Sequence, residues 1–432
     1  MATRLTEPFS IGGLAVPNRL YRAPLLECAG NGPGAVDTLI EELEPAAASG
    51  AGLLFQGATI VREDGGCAAP NMTRVADPGF VSDLTALTDR IHDHGAAIAI
   101  QLEHGGLRSR EVWHAGYRGE TDEQLAVSRP PWPLRALDRL GLIELSPRVM
   151  STAEVEELAA DFGRSAAWAV DAGYDAVHLA GANMGIVQQF LSPFYNRRDD
   201  AFADGVRFLE AVHDEIRDRA GDIPLVTKVP DETPAPFRRR LSTDDAVSIA
   251  RRLEAIGYDA VVPVRTSVFW DASIVRGAFP DRAWENEAYE EAYAEAFGGR
   301  LRTRLLALGN RIQSRLYEFK PGWNEGLCQR VSAAVSVPVL IEGGIRERDQ
   351  IDRLLERGVC EAVGIGRPFY AEPRLPARLL AGGDAICESC NNCVIPQATG
   401  EPGVCRTPAV LERRGTLERE NAYDRPGNDS SG

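Results

Sequence analysis

The sequence predicts an α/β protein built around a closed (β/α)8 barrel, and three observations carry that expectation. First, five stretches repeat one module of amphipathic helix, glycine stop and short apolar strand: Glu44–Gly57, Asp89–Leu102, Trp168–Gly181, Arg251–Arg265 and Leu354–Arg367. A glycine after a helix takes the left-handed conformation that ends it, and an unbroken apolar run after that suits a strand buried on both faces. Second, such strand and helix signals alternate from about residue 20 to residue 365, which favours a closed barrel over an open sheet. Third, the last two strands of the series both end in glycine-rich turns, Glu342-Gly343-Gly344 and Gly364-Ile365-Gly366-Arg367.

The elements follow in order. Residues 9–26 read as a hairpin and then the first strand; the others fall near 52–57, 97–102, 175–180, 224–229, 259–264, 337–342 and 361–365. Ser151 and Glu154 form a capping box, and Val155, Leu158, Ala159, Phe162, Ala166 and Ala169 trace one apolar stripe until Gly173 stops the helix. Long inserts at 105–150 and 267–320 belong on the catalytic rim, where they shape access. The barrel is expected over 1–380, a cysteine-containing segment over 381–411, and a polar tail over 412–432 whose end is disordered.

Composition narrows the class. Of 432 residues, 44% are hydrophobic and 25% charged, ordinary for a water-soluble domain. No run is long enough to cross a bilayer and the N-terminus has no signal-like apolar core, so a cytoplasmic location is expected. A net charge of −16 argues against non-specific nucleic-acid binding. The four scattered cysteines, Cys28, Cys67, Cys328 and Cys360, read as small apolar residues.

Chemistry is expected at the C-terminal ends of the strands. Gly343, Gly344, Gly366 and Arg367 suit a phosphate: glycines let backbone N–H groups approach the oxygens, and arginine adds a charge-assisted bond. Lys228, one of only two lysines, sits among apolar residues of the fifth strand and needs an anionic partner. A flavin whose reduced form is anionic at N1 would supply one. Gln101, ending the third strand, could bond the polar edge of the same ring.

With PNRLYRAP (Pro17–Pro24), QLEHGG (Gln101–Gly106), GYDAVHLAGAN with QQFLSPFYNRRDD (Gly173–Asp200), VPVLIEGGI (Val337–Ile345) and GIGRPFYAEP (Gly364–Pro373), the chain resembles the Old Yellow Enzyme family of FMN-dependent (TIM) barrel oxidoreductases over residues 8–410. The resemblance implies FMN and NAD(P)H as cofactors. It places Pro24, Leu25, Leu26 and Ala58 against the isoalloxazine, Gln101 and Lys228 at its pyrimidine edge, and Gly343, Gly344, Gly366 and Arg367 at the phosphate. Lys228 stands where many relatives have Arg.

After the fourth strand the chain departs from that pattern. Where relatives carry His, then His or Asn, then Tyr, this chain has Ala180, Asn183 and Gly185. Asn183 keeps one substrate-binding donor, but the usual tyrosine acid is missing. His178, one layer deeper on the same strand face, together with Tyr195 and His104, are the reserve proton donors; each could equally be a structural residue of the interior.

Cys387, Cys390, Cys393 and Cys405 have the C-x2-C-x2-C-plus-one spacing that suits four thiolates around a [4Fe–4S] cluster, with structural zinc as the alternative and disulfides weaker in a reducing compartment. Their position resembles the 2,4-dienoyl-CoA reductase and trimethylamine dehydrogenase branch, whose members place three residues, not two, between the second and third cysteines. In that branch two nucleotide-binding domains follow. No G-x-G-x-x-G follows here, so either a separate electron-donor protein or NAD(P)H in the barrel mouth is expected to deliver the electrons. The expected function is transfer of hydride from NAD(P)H through FMN to an activated, unsaturated small organic acceptor. The alternative is an FMN and iron–sulfur protein for electron transfer or redox sensing. A homo-oligomer is compatible with either.

Overall fold

The computed structural model describes residues 4–109, 123–233, 239–269 and 271–424. A hairpin of β1 (Phe9–Ile11) and β2 (Leu14–Val16) precedes β3 (Leu20–Arg22), β4 (Leu53–Ile60) and β5 (Ala97–Glu103). The short β6 (Gln124–Ala126) and β7 (Pro147–Val149) pair with each other inside the first insert. Then come β8 (Ala176–Leu179), β9 (Leu225–Glu232), β10 (Ala260–Thr266), β11 (Leu340–Glu342) and β12 (Ala362–Ile365).

Eight of these form one parallel sheet in the order β10-β9-β8-β5-β4-β3-β12-β11. The ends of that order meet through a parallel bridge, Val261 to Val339, with Val261 N donating to Pro338 O at 3.1 Å, which closes the ring. The expected barrel is therefore the observed one. All five predicted helix-stop glycines, Gly50, Gly95, Gly173, Gly257 and Gly358, have positive φ. The Ser151–Glu154 capping box is present, and the stripe behind it is buried against the strands.

Two cores result. Helices pack on the outer faces of the strands, while Tyr21, Phe55, Ala99, Val226, Val262 and Leu340 fill the barrel interior. Phe9, Ile11 and Val16 of the hairpin join that inner cluster at the N-terminal end, so the barrel is open only at its C-terminal mouth.

The loop after β3, which carries Pro24–Leu26, is held by a buried charge cluster. Arg22 Nη1 donates to Glu27 Oε1 at 2.9 Å, Glu27 Oε2 accepts from Gly57 N at 2.9 Å, and Glu42 of the helix Ala35–Ala48 lies 3.9 Å from Arg22 Nη2. Gly57 sits at a bulge in β4, and a Cβ there would overlap the Leu25 carbonyl. Only glycine allows that approach.

Beyond the barrel, the helix Pro408–Arg419 runs across residue 412, so what sequence alone left as polar tail begins as helix. Val410 and Tyr423 anchor it, the Tyr423 hydroxyl donating to buried Glu372 at 2.9 Å. Residues 425–432, the end expected to be disordered, lie outside the described residues, as does 110–122 of the first insert.

Glu42 gives a testable consequence. Burial, and next the neighbouring Glu27, raise its carboxyl from 4.5 to about 8. The folded chain therefore holds a proton that the unfolded chain releases near 4.5, and stability falls as pH rises between those values. Glu42→Gln is expected to remove that decline, up to about 1.4 kcal/mol per pH unit, as read from urea midpoints at pH 5 and pH 8.

Candidate functional site

The C-terminal ends of the strands surround a cavity of about 590 Å³, within the usual size of a cofactor site. The expected residues Pro24, Leu25, Leu26, Ala58, Gln101, Asn183, Lys228, Gly343, Gly344, Gly366 and Arg367 all line it. They come from loops and strand ends separated by hundreds of residues, so the barrel topology alone brings them together.

At one side, Lys228 Nζ donates to Glu342 Oε2 at 2.7 Å, both side chains being largely buried. Lys228 lies on β9 and Glu342 on β11, so the pair spans β10 between them. Asn324 reinforces the same corner: its Oδ1 accepts from Arg265 N and its Nδ2 donates to Glu342 O, both at 2.9 Å. Sequence reading took Glu342 for part of a turn and missed Asn324. The signal available for Glu342 was its place as the last strand residue before the Gly-Gly.

Gln101 Nε2 lies 2.8 Å from His178 Nδ1, its register partner on β8. His178 is fully buried beneath Gln101 and edge-on to Phe55 at 5.1 Å, and it is not among the cavity-lining residues. Burial, then the Lys228 charge, hold its pKa well below the ordinary value, so it is a neutral interior ring. The Ala180 truncation does not expose it. Tyr195 is equally removed, its hydroxyl bonded to the Val268 carbonyl. His104 is enclosed too: its Nδ1 accepts from Gly106 N at 3.0 Å, and burial lowers it to about 3. None of the three reserve proton donors reaches the cavity.

Asn183 does reach it, in a left-handed conformation at φ 60, with its carbonyl accepting from Arg108 Nη1 at 2.7 Å. Arg108 in turn lies 3.8 Å from Glu103, which ends β5 two residues after Gln101 and faces the same cavity.

The glycine turns that follow β11 and β12 also line the cavity, Gly343 coming directly after the Glu342 that holds Lys228. Gly343 and Gly344 have φ 102 and 72, and a Cβ on either would strike Trp323 or the Lys320 carbonyl. Arg367 lines the cavity with its Nη1 on Asn391 Oδ1 and its Nη2 on the Arg276 carbonyl at 2.7 Å. Arg346 and Arg276 line or flank this side, stacked over Phe319 and Trp323 at 3.7 and 5.5 Å. The second insert closes the rim with Trp284, Phe297, Leu305 and Leu306.

Cys387, Cys390, Cys393 and Cys405 line one small neighbouring cavity that shares Arg367, Tyr370 and Ser389 with the large one. Among the described residues, no three His, Cys, Asp or Glu side chains are arranged to hold a metal ion. Burial raises Cys393 to about 12 and Cys387 above its ordinary value, the Arg367 charge opposing both. Cys390 instead bonds Thr407 Oγ1 at 3.0 Å.

Residues 4–288 match the model of the NADH:flavin oxidoreductase / NADH oxidase family. The chain belongs to that family. This family member is 26% identical over 419 residues to a 4,4'-dithiodibutanoate disulfide reductase of Rhodococcus erythropolis, covering 94% of this chain and 96% of that protein. It is 24% identical to an NADH oxidase of Thermoanaerobacter brockii over 89% of this chain, but spans only 52% of that protein. Among solved structures, 2-naphthoyl-CoA reductase superposes with a TM-score of 0.74 at 18% identity over 98% of this chain and 58% of that one. Morphinone reductase superposes at 0.61 and 18% identity over 88% and 92%. These likenesses show the fold, and the family match shows an NAD(P)H-dependent flavin oxidoreductase. No helix among the described residues is long and apolar enough to cross a membrane.

The Lys228–Glu342 pair predicts a stability pattern. Removing one partner strands a buried charge, so Lys228→Met or Glu342→Met is expected to cost about 3–5 kcal/mol. The double substitution is expected to recover most of that loss in urea unfolding of the cofactor-free protein.

Proposed function

We propose that this oxidoreductase binds FMN in the barrel mouth and passes hydride from NAD(P)H to an activated, unsaturated small organic acceptor. The observation that carries the reading is the polarity of the cavity. Lys228 and Gln101, a Gly343–Gly344 turn that tolerates only glycine, the arginines Arg346 and Arg367, and apolar Pro24, Leu25, Leu26 and Ala58 all face the one cavity. That arrangement fits a flat aromatic ring with a polar edge and an anionic tail.

Bound there, FMN would supply the hydride chemistry. The residues of this chain orient and select. Lys228 and Gln101 would hold the polar edge of the ring, and the Gly343–Gly344 and Gly366 backbone would hold the phosphate. Arg367 would contribute charge, although both its terminal nitrogens already have partners. Asn183 is placed to bond an acceptor carbonyl, and the apolar rim of the second insert would exclude water.

The four cysteines are proposed as ligands of a [4Fe–4S] cluster. Their shared cavity adjoins the FMN cavity through Arg367, and metal binding would deprotonate thiols that burial keeps protonated. An electron-donor protein docking near this segment is part of the same reading.

A second acceptor class is a dialkyl disulfide. The favouring observation is that the disulfide reductase of Rhodococcus erythropolis matches over nearly its whole length.

Anaerobically purified protein is expected to show flavin absorbance and iron with sulfide rather than zinc, and Arg367→Ala to lower flavin retention at least tenfold. Stopped-flow reoxidation of the reduced enzyme by enones, dienoyl thioesters and 4,4'-dithiodibutanoate then separates the acceptor classes. Preparations without flavin would end the proposal, and failure of every acceptor would leave only electron transfer.

A further inference from the structure

Resting on the reading of an unsaturated acceptor, we infer that Glu103 is the proton donor of this active site. The geometry singles it out. Glu103 ends β5 and lines the cavity two residues above Gln101, on the side where Asn183 also faces in. It is 5% exposed, and its Oε1 is buried with no hydrogen-bond partner among the described residues.

The other acidic groups of the cavity are already engaged. Glu342 accepts from Lys228, and Asp271 accepts from Ser273 N and the Tyr317 hydroxyl. The Tyr370 hydroxyl donates to the Leu26 carbonyl. His178, Tyr195 and His104 are sealed away from the cavity.

Space has been cleared for this carboxyl. Gly185 follows Asn183 in the same loop, and a Cβ on Gly185 would come to 3.0 Å from Glu103 Oε1. Any side chain in that position would press on the Glu103 carboxyl and make it shift, so the glycine leaves the carboxyl the space it occupies.

Charge supports the assignment. Burial raises the Glu103 pKa, and the two charges that reach it, Arg108 at 3.8 Å and Lys228 more weakly, pull it back down without cancelling that rise. Burial therefore shifts this carboxyl toward its protonated form, the form a proton donor needs.

The step balances. The alkene takes a hydride from reduced flavin at the carbon remote from its carbonyl, and the π electron pair forms the new C–H bond at the neighbouring carbon with the Glu103 proton. The flavin is oxidised and the alkene reduced, and the carboxylate left behind is reprotonated from solvent after product leaves.

The test compares flavin-loaded wild type with Glu103→Gln and Glu103→Asp, using 2-cyclohexenone and a dienoyl thioester as acceptors. Glu103→Gln is expected to lower the ratio of oxidative to reductive half-reaction rates about 100-fold, and Glu103→Asp to restore part of it. The wild-type oxidative rate should fall as pH rises through the raised Glu103 pKa, a limb absent from Glu103→Gln. The infrared carbonyl band of a protonated carboxylic acid should disappear with it. An unchanged rate ratio, or an ionised Glu103 at pH 7, overturns the role while the reductase reading survives. A wild type that no alkene reoxidises overturns both.

Discussion

A buried ammonium within a barrel of apolar side chains is the constraint around which the mouth is organised. Lys228 cannot lose its hydration without a counter-charge, and the fold supplies Glu342 from two strands away in the ring. That requirement explains why β11 must end in a glutamate and why the turn after it must be glycine. Glu342 points inward to the lysine, and the chain then has to reverse beneath Trp323 with backbone angles that other residues resist. Asn324 completes the corner by tying the ends of β10 and β11 together, where the ring also closes through Val261 and Val339. Closure of the barrel and placement of the cation are thus one structural event.

The cysteine segment is sutured to the same corner. Arg346 donates to the Cys387 carbonyl, Ala278 N to the Ser389 carbonyl, and Ala283 N to Asn392 Oδ1. On its far side Gln397 donates to the Leu26 carbonyl at 2.6 Å, fixing the loop that follows β3. The segment therefore touches both walls of the large cavity. Any change in how its cysteines are held, by a cluster or otherwise, is transmitted to Leu26 and Arg367 through short hydrogen bonds rather than through a flexible linker.

Most of the barrel was legible in the sequence because the helices before β4, β5, β8, β10 and β12 are each followed by a glycine of positive φ and then by an apolar run; those are local signals. The lining of the mouth was legible for the same reason, since Gly343, Gly344, Gly366, Arg367, Gln101 and Lys228 all sit at strand ends or in the turns after them and all face the cavity. Proton donors were not legible. His178, Tyr195 and His104 look available in sequence, but whether a side chain faces a cavity or is capped by a carbonyl depends on contacts such as Tyr195 to Val268, residues far apart in the chain. Glu103 was overlooked for the converse reason. Within QLEHGG it reads as an ordinary charged residue, and its isolation appears only once Gly185 from another loop is seen beside it.

The distribution of charge within the mouth carries the argument one step further. Around the strand ends cations are matched by anions: Lys228 with Glu342, and Arg265 with Asp231 at 3.0 Å. Beside the last two glycine turns, Arg346, Arg367 and Arg276 meet carbonyls, an amide side chain and aromatic rings, with no carboxylate partner among the described residues. A chain of net charge −16 that gathers three arginines at one place, none in a close ion pair among the described residues, is concentrating positive potential there. The cavity therefore sets a cationic patch beside balanced ion pairs, which under the proposed reading suits a ligand with an anionic tail.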